Sequence, residues 1–280
     1  MINSICVIGA GTMGSGIAQV AAQNGFATIL FDINETVLEK AKLSIQKNLQ
    51  YLVGKQKISA EQEEYIYSRI NFVTDIKACV ADFFIEAIVE KIEAKAAIFN
   101  QLADINNEEA IFTTNTSSLS VSAIQNNIKH PHRVAGMHFF NPAPLMKLVE
   151  VVKGQQTGDD VAADVYELCK KLGKTPVMCK DAPGFIVNRV ARHYYLEAMK
   201  LVEQGIATFE SVDEIMEATG FKMGPFKLMD LIGMDINLAV TQSMYEAFDK
   251  EERFTPSKIQ IDKVANGELG RKTGKGFYQY

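Results

Sequence analysis

Short apolar, β-branched runs recur through the first two-thirds of the chain, separated by stretches with helical spacing. That alternation predicts βαβ units around a parallel sheet. Ile5-Cys-Val-Ile-Gly-Ala-Gly11 is the first run; a helix over 15–24 follows, stopped by Gly25, and Ala27-Thr-Ile-Leu-Phe-Asp32 is the second strand. Val37, Leu38, Ala41, Ile45, Leu49 and Leu52 then recur at three- and four-residue spacing, which predicts an amphipathic helix over 35–53. Ser59 with Gln62 fits a capping box and starts a second helix, so the two form a helical hairpin. Further strands are predicted at 70–74, 82–88, 111–114, 134–139, 148–152 and 176–179, about eight in all.

Beyond Asp181-Ala-Pro-Gly184 only helical periodicity remains, over 185–204, 211–218, 226–248 and 256–264. The expected fold is α/β, a doubly wound, mostly parallel, Rossmann-type sheet over 1–184 followed by an all-α C-terminal domain over 185–280. No internal repeat or low-complexity segment suggests a solenoid or linker array.

Composition supports a globular reading, since 47% of the 280 residues are hydrophobic and 22% charged. With 29 basic and 34 acidic residues the net charge is −5, which disfavours nucleic acid as a partner and requires any anionic ligand to meet a local patch. Cys6, Cys79, Cys169 and Cys179 stand singly, as expected in a reduced, cytoplasmic compartment. The start of the chain has no basic leader, and no eighteen apolar residues run together, so no membrane association is expected.

Gly9-Ala-Gly11-Thr12-Met13-Gly14 matches GxGxxG, a weak pattern alone. Here it leaves an apolar strand, opens a helix, and is followed about 20 residues on by Asp32 at the end of the next strand, the context of a dinucleotide fingerprint. The glycines permit a tight turn and close approach to a pyrophosphate, the helix N-terminus offers N–H groups, and Asp32 would accept from ribose hydroxyls. The alternative is an ordinary strand-to-helix turn with a surface aspartate. Asp32 repels a 2′-phosphate and no arginine follows within 33–40, which favours NAD over NADP; Lys40 and Lys42 are the nearby cations.

Of the four histidines, His138 ends a predicted strand and should lie at the carboxyl edge of the sheet, where such folds bind ligands. Its ordinary pKa suits proton exchange with an alcohol near neutral pH. Glu150 lies inside the apolar run 148–152, where a carboxylate is costly unless paired, and His138 is the inferred partner. Asn188 is a polar residue among Ile186, Val187 and Val190, and Ser117 follows a strand; each has a bland reading too, the serine as a helix N-cap. His130 and His132 lack a neighbouring carboxylate or thiol, so no metal site is expected.

Gly9 to Gly14, Asn115-Thr-Ser-Ser-Leu119, His138-Phe-Phe-Asn-Pro142, Met146-Lys-Leu-Val-Glu150, Lys180-Asp-Ala-Pro-Gly-Phe-Ile-Val-Asn-Arg189, Met223-Gly-Pro-Phe226 and Lys272-Thr-Gly-Lys-Gly-Phe277 stand in order along the whole chain. Together they resemble the signatures of the short-chain L-3-hydroxyacyl-CoA dehydrogenases, and the length resembles the bacterial 3-hydroxybutyryl-CoA dehydrogenases. The resemblance implies NAD-dependent interconversion of (S)-3-hydroxybutyryl-CoA and acetoacetyl-CoA. His138 would be the general base, Glu150 its orienting carboxylate, and Ser117 and Asn188 donors to the substrate's 3-oxygen. Cofactor contacts would come from Glu90, Lys95, Asn141 and Lys272 besides the glycine turn, Ser117 would lie near the nicotinamide, and the C-terminal domain would form a homodimer. The five lysines Lys40, Lys42, Lys47, Lys55 and Lys57 lie in an acid-free stretch on the hairpin. The resemblance places the CoA nucleotide there, with Lys55 the best match, whereas a charge run by itself is usually a solvated face. Two other readings stand beside this one. A related β-hydroxyacid dehydrogenase acting on a non-CoA substrate would use a helix-borne lysine, and a crystallin-like structural protein would merely bind NAD.

Overall fold

A computed structural model describes residues 2–280. The chain divides into two compact units, Met1–Ala182 and Pro183–Tyr280, a boundary just before the Pro183-Gly184 pair.

The first unit is built on one eight-stranded sheet. Its strands are β1 (Ser4–Ile8), β2 (Ala27–Phe31), β3 (Ile70–Val73), β4 (Phe83–Glu86), β5 (Ile111–Thr114), β6 (Val134–Phe139), β7 (Leu148–Lys153) and β8 (Thr175–Lys180), in the spatial order β3-β2-β1-β4-β5-β6-β7-β8. All neighbours are parallel except β6 and β7, which run antiparallel with Gly136 opposite Val152 and His138 opposite Glu150. The antiparallel pair follows from the connection: eight residues between Phe139 and Leu148 are too few for the crossover that a parallel return requires.

Alternate residues of β1 supply opposite cores. Ile5 and Val7 join Ile17, Ala21, Leu38 and Ile45 from α1 (Thr12–Gln23) and α2 (Glu35–Gly54). Cys6 and Ile8 join Phe99 and Leu102 of α4 (Ile92–Ile105) and Ile124 of α5 (Val121–Gln125). Strands covered on both faces read as unbroken apolar runs, which is why they stand out in the sequence. The hairpin partner α3 (Ala60–Ser68) has the Ser59/Gln62 capping box, and α6 (Asp159–Lys171) packs on the β7 side.

The second unit contains α7 (Val187–Glu203), α8 (Phe209–Ala218), α9 (Pro225–Ile232), α10 (Met234–Ala247) and α11 (Lys258–Ala265) around Met199, Phe226, Met229 and Met234. The single helix expected over 226–248 is two, because Gly233 between them adopts φ 103°, outside any helix. The first helix likewise starts two residues late, after Gly184 and Phe185 in the left-handed region. The closing Lys275-Gly-Phe-Tyr segment docks on buried Asp230, whose carboxylate accepts from the N–H groups of Phe277 and Tyr278 at 2.9 Å each. A Cβ on Gly276 would lie 2.0 Å from that carboxylate, so the motif's glycine has a packing reason. Among the described residues no helix is long and apolar enough to cross a membrane.

At Gly136 the β6–β7 pair is closely packed, since an added Cβ would meet Val152 Cβ at 2.7 Å and Val121 Cγ2 at 3.0 Å. Gly136→Ala should therefore destabilise the chain by about 1 to 3 kcal/mol through overpacking. Urea unfolding followed by circular dichroism checks this; an unchanged midpoint would show that the two strands can separate at no cost.

Candidate active site

The parallel strands β1, β2, β4, β5 and β6 end at one edge of the sheet, and most candidate groups of the first unit sit there. At the end of β1, Gly9 (φ 99°) donates its N–H to Phe31 O at 2.8 Å, joining the turn to β2. A Cβ at Gly9 would lie 2.6 Å from Ala87 O, and one at Gly14 would lie 1.7 Å from Gly9 O. These two glycines close the turn against the sheet and let α1 start beside it. Gly11 differs: a Cβ there meets nothing within 4 Å, and as N-cap of α1 it makes no side-chain cap hydrogen bond. The helix N-terminus at Gly11, Thr12 and Met13 thus faces open space with donors to spare, which fits a pyrophosphate.

Asp32 follows β2 and accepts from Ala10 N and Asn34 N at 2.9 Å each, one oxygen apiece. A carboxylate offers about four acceptor sites, so tying the turn together leaves capacity for ribose hydroxyls. A cleft of about 330 Å³ runs beside the turn, lined by Ala10, Gly11, Thr12, Lys40 and Asn141 among others. Lys42 pairs with Glu39 and lies over the Phe72 ring, so of the two cations near Asp32 only Lys40 lines the cleft.

The ends of β4 and β5 carry a charged cluster. Lys95 is 1% exposed and binds Glu86 Oε1 at 2.7 Å and Glu90 Oε2 at 3.1 Å. Glu86, also buried, accepts in addition from Ile88 N at 2.6 Å and Thr114 Oγ1 at 2.7 Å. Glu90 accepts from the Thr116 hydroxyl, from Ser117 N at 3.1 Å and from Ser118 Oγ at 3.2 Å. Burial by itself would raise the Glu90 carboxyl, but Lys95, Thr116 and Ser117 outweigh it and hold it below the usual carboxylate range. The structure thus brings Glu90, Lys95 and Ser117 together. Ser117 is not the N-cap of the next helix; Ser120 is, accepting from Ala123 N. Glu86 was not among the residues singled out in the sequence, although a carboxylate ending the apolar run Phe83-Phe-Ile-Glu86 is the same signal that marks Glu150.

His138 Nδ1 lies 2.8 Å from Glu150 Oε2, with both side chains buried. The register of β6 and β7 sets them directly opposite, on the face away from Met137, Phe139, Val149 and Val151. An ionised carboxylate has only acceptors, so Nδ1 is the donor in this contact, and in the neutral ring the lone pair is then on Nε2. Asn115 Oδ1 accepts from Phe139 N at 2.8 Å and fastens the end of β5 to that of β6. Lys55 and Lys57 are exposed at the end of α2, with Lys55 Nζ 5.6 Å from the Tyr51 ring. In the second unit Asn188 is half-buried in the first turn of α7, and Lys272 pairs with Asp235 at 2.5 Å.

Residues 4–182 match the family described as 3-hydroxyacyl-CoA dehydrogenase, NAD binding domain, and residues 184–280 match its C-terminal domain. The 3-hydroxyadipyl-CoA dehydrogenase of Escherichia coli (strain K12) is 48% identical over 281 residues, covering 100% of this chain and 59% of the relative. The solved 3-hydroxybutyryl-CoA dehydrogenase of Escherichia coli K12 superposes with TM-score 0.96 at 48% identity, over 100% of this chain and 60% of that one. The chain therefore spans about three-fifths of the length of these two proteins. The (S)-3-hydroxybutyryl-CoA dehydrogenase from Ralstonia eutropha gives TM-score 0.94 at 37% identity over 100% of this chain and 99% of that one. The glycine turn with Asp32, the matched lengths of both domains and the shared fold agree: this chain belongs to the 3-hydroxyacyl-CoA dehydrogenase family and carries its NAD-binding domain.

Proposed function

We propose that the chain interconverts (S)-3-hydroxybutyryl-CoA and acetoacetyl-CoA, with His138 as general base and Glu150 as its orienting partner. The observation that carries this reading is the buried His138–Glu150 contact of 2.8 Å at the carboxyl edge of a nucleotide-binding sheet. Glu150 holds the ring by Nδ1 and makes imidazolium less costly, so Nε2 can take the proton of the 3-hydroxyl and return it in the reductive direction. NAD, when bound, supplies the acceptor for the hydride from the same carbon. Ser117, and Asn188 from the second unit, are the proposed donors to the 3-oxygen, where charge develops in the transition state. Gly11, Thr12 and Met13 hold the pyrophosphate and Asp32 the adenosine ribose; Glu90, Lys95, Asn141 and Lys272 complete the proposed cofactor contacts. Lys55 is the proposed CoA contact, its exposed ammonium suited to a phosphate as a point charge. The second unit is proposed to pair two copies of the chain, and the compartment is proposed to be the cytoplasm.

Assays of acetoacetyl-CoA reduction test this directly. His138→Gln should leave NADH affinity nearly intact and abolish turnover; more than a few per cent of residual activity rules out the base. Glu150→Gln keeps the shape but presents an amide that can no longer stabilise the imidazolium, and kcat should fall on the order of a hundredfold or more. A variant with wild-type kcat would show that the carboxylate only fills space. For the hairpin, Lys55→Ala with Lys57→Ala should raise the KM for acyl-CoA several-fold at low salt and less at high salt. A KM that ignores both the substitutions and the salt returns these lysines to the solvated-face reading.

A further inference from the structure

Glu86, Lys95 and Glu90 form a cluster whose charges do not cancel, since two carboxylates share one ammonium. Its position follows from the topology. Glu86 ends β4 in register with Ile8, the last residue before the glycine turn, and the strand order reverses between β1 and β4. Asp32 at the end of β2 marks the adenosine half, so the nicotinamide half belongs over the ends of β4 and β5, where this cluster lies. A nicotinamide ring carries one positive charge when oxidised and none when reduced. The side chains of Glu86 and Lys95 are 0% and 1% exposed, so solvent ions screen them little. Lys91, the other cation nearby in the chain, is exposed and screened.

We propose that the buried Glu86–Lys95 pair, with Glu90, sets the preference of this chain between oxidised and reduced nucleotide: the uncancelled negative charge favours NAD+ relative to NADH. Glu86 does this without touching the nucleotide, since its carboxylate is enclosed by Ile88 N, Lys95 Nζ and Thr114 Oγ1. The inference rests only on the nucleotide half of the proposed function and is independent of the acyl-CoA reading.

The test uses the whole chain and two dissociation constants, NAD+ by calorimetry and NADH by fluorescence. Glu86→Gln makes the cluster neutral while preserving shape, and the ratio Kd(NAD+)/Kd(NADH) should rise about five- to twentyfold, the effect of one poorly screened charge. Glu86→Gln combined with Lys95→Met again leaves one negative charge, on Glu90, and should return the ratio towards wild type. A ratio unchanged in Glu86→Gln, equal weakening of both nucleotides, or no return in the double variant overturns the proposal. If Glu86→Gln does not fold, Glu90→Gln removes the same charge from a more exposed position and must raise the ratio; an unchanged ratio overturns the proposal there too. Wild-type chain that bound neither nucleotide would instead sink the nucleotide reading itself, and wild-type chain that binds both yet ignores acyl-CoA would sink only the substrate.

Discussion

A carboxylate in the middle of a buried strand must meet a donor, and in this chain Glu150 meets His138 across the β6–β7 pair. Because side chains alternate across a sheet, a slip of one residue in that register would turn Glu150 into the apolar layer of Val149 and Val151 and leave the carboxylate unpaired. The packing of Gly136 against Val152 and the hydrogen bond from Phe139 N to Asn115 hold the register and the strand end in place. The ring orientation of the candidate base thus depends on backbone contacts up to two residues away along its own strand.

Around that pair, the edge of the sheet is a row of linked polar groups. Asp32 binds the glycine turn, Glu86 binds Thr114 and Lys95, and Lys95 binds Glu90, which holds the loop after β5 through Thr116 and Ser117. The Glu86–Lys95–Thr114 part of this row is buried and hydrogen-bonded, which stiffens it, and rigidity is useful where atoms must be positioned to within a fraction of an ångström. The same edge also shows how an acidic chain can offer an anion a local patch: the N-terminus of α1 has donors to spare, and Lys55 and Lys57 are exposed at the end of α2.

The sequence made the first unit readable because strands covered on both faces are unbroken apolar runs and because glycine and aspartate fall at fixed places around a dinucleotide turn. Glu150 was legible for the same reason, as an acid inside such a run. Gly233 was harder to read, since apolar residues on both sides of it continue a helical rhythm and only its positive φ shows that two helices meet there. The closing Gly276 looked like a family signature, and its packing against Asp230, 46 residues earlier, is invisible without the fold.

The sequence by itself determined the fold class, the dinucleotide turn and the identities of the candidate acid, base and hydroxyl groups, because each is written in local pattern or in residue type. Tertiary structure decided which groups share a hydrogen bond: His138 with Glu150 through an antiparallel register, and Lys95 with both Glu86 and Glu90 through the packing of α4 on the sheet. The physical reason is that a charge's partner depends on distance in space, and folding brings residues 12 or 27 positions apart to within 3.1 Å while separating others that adjoin in the chain.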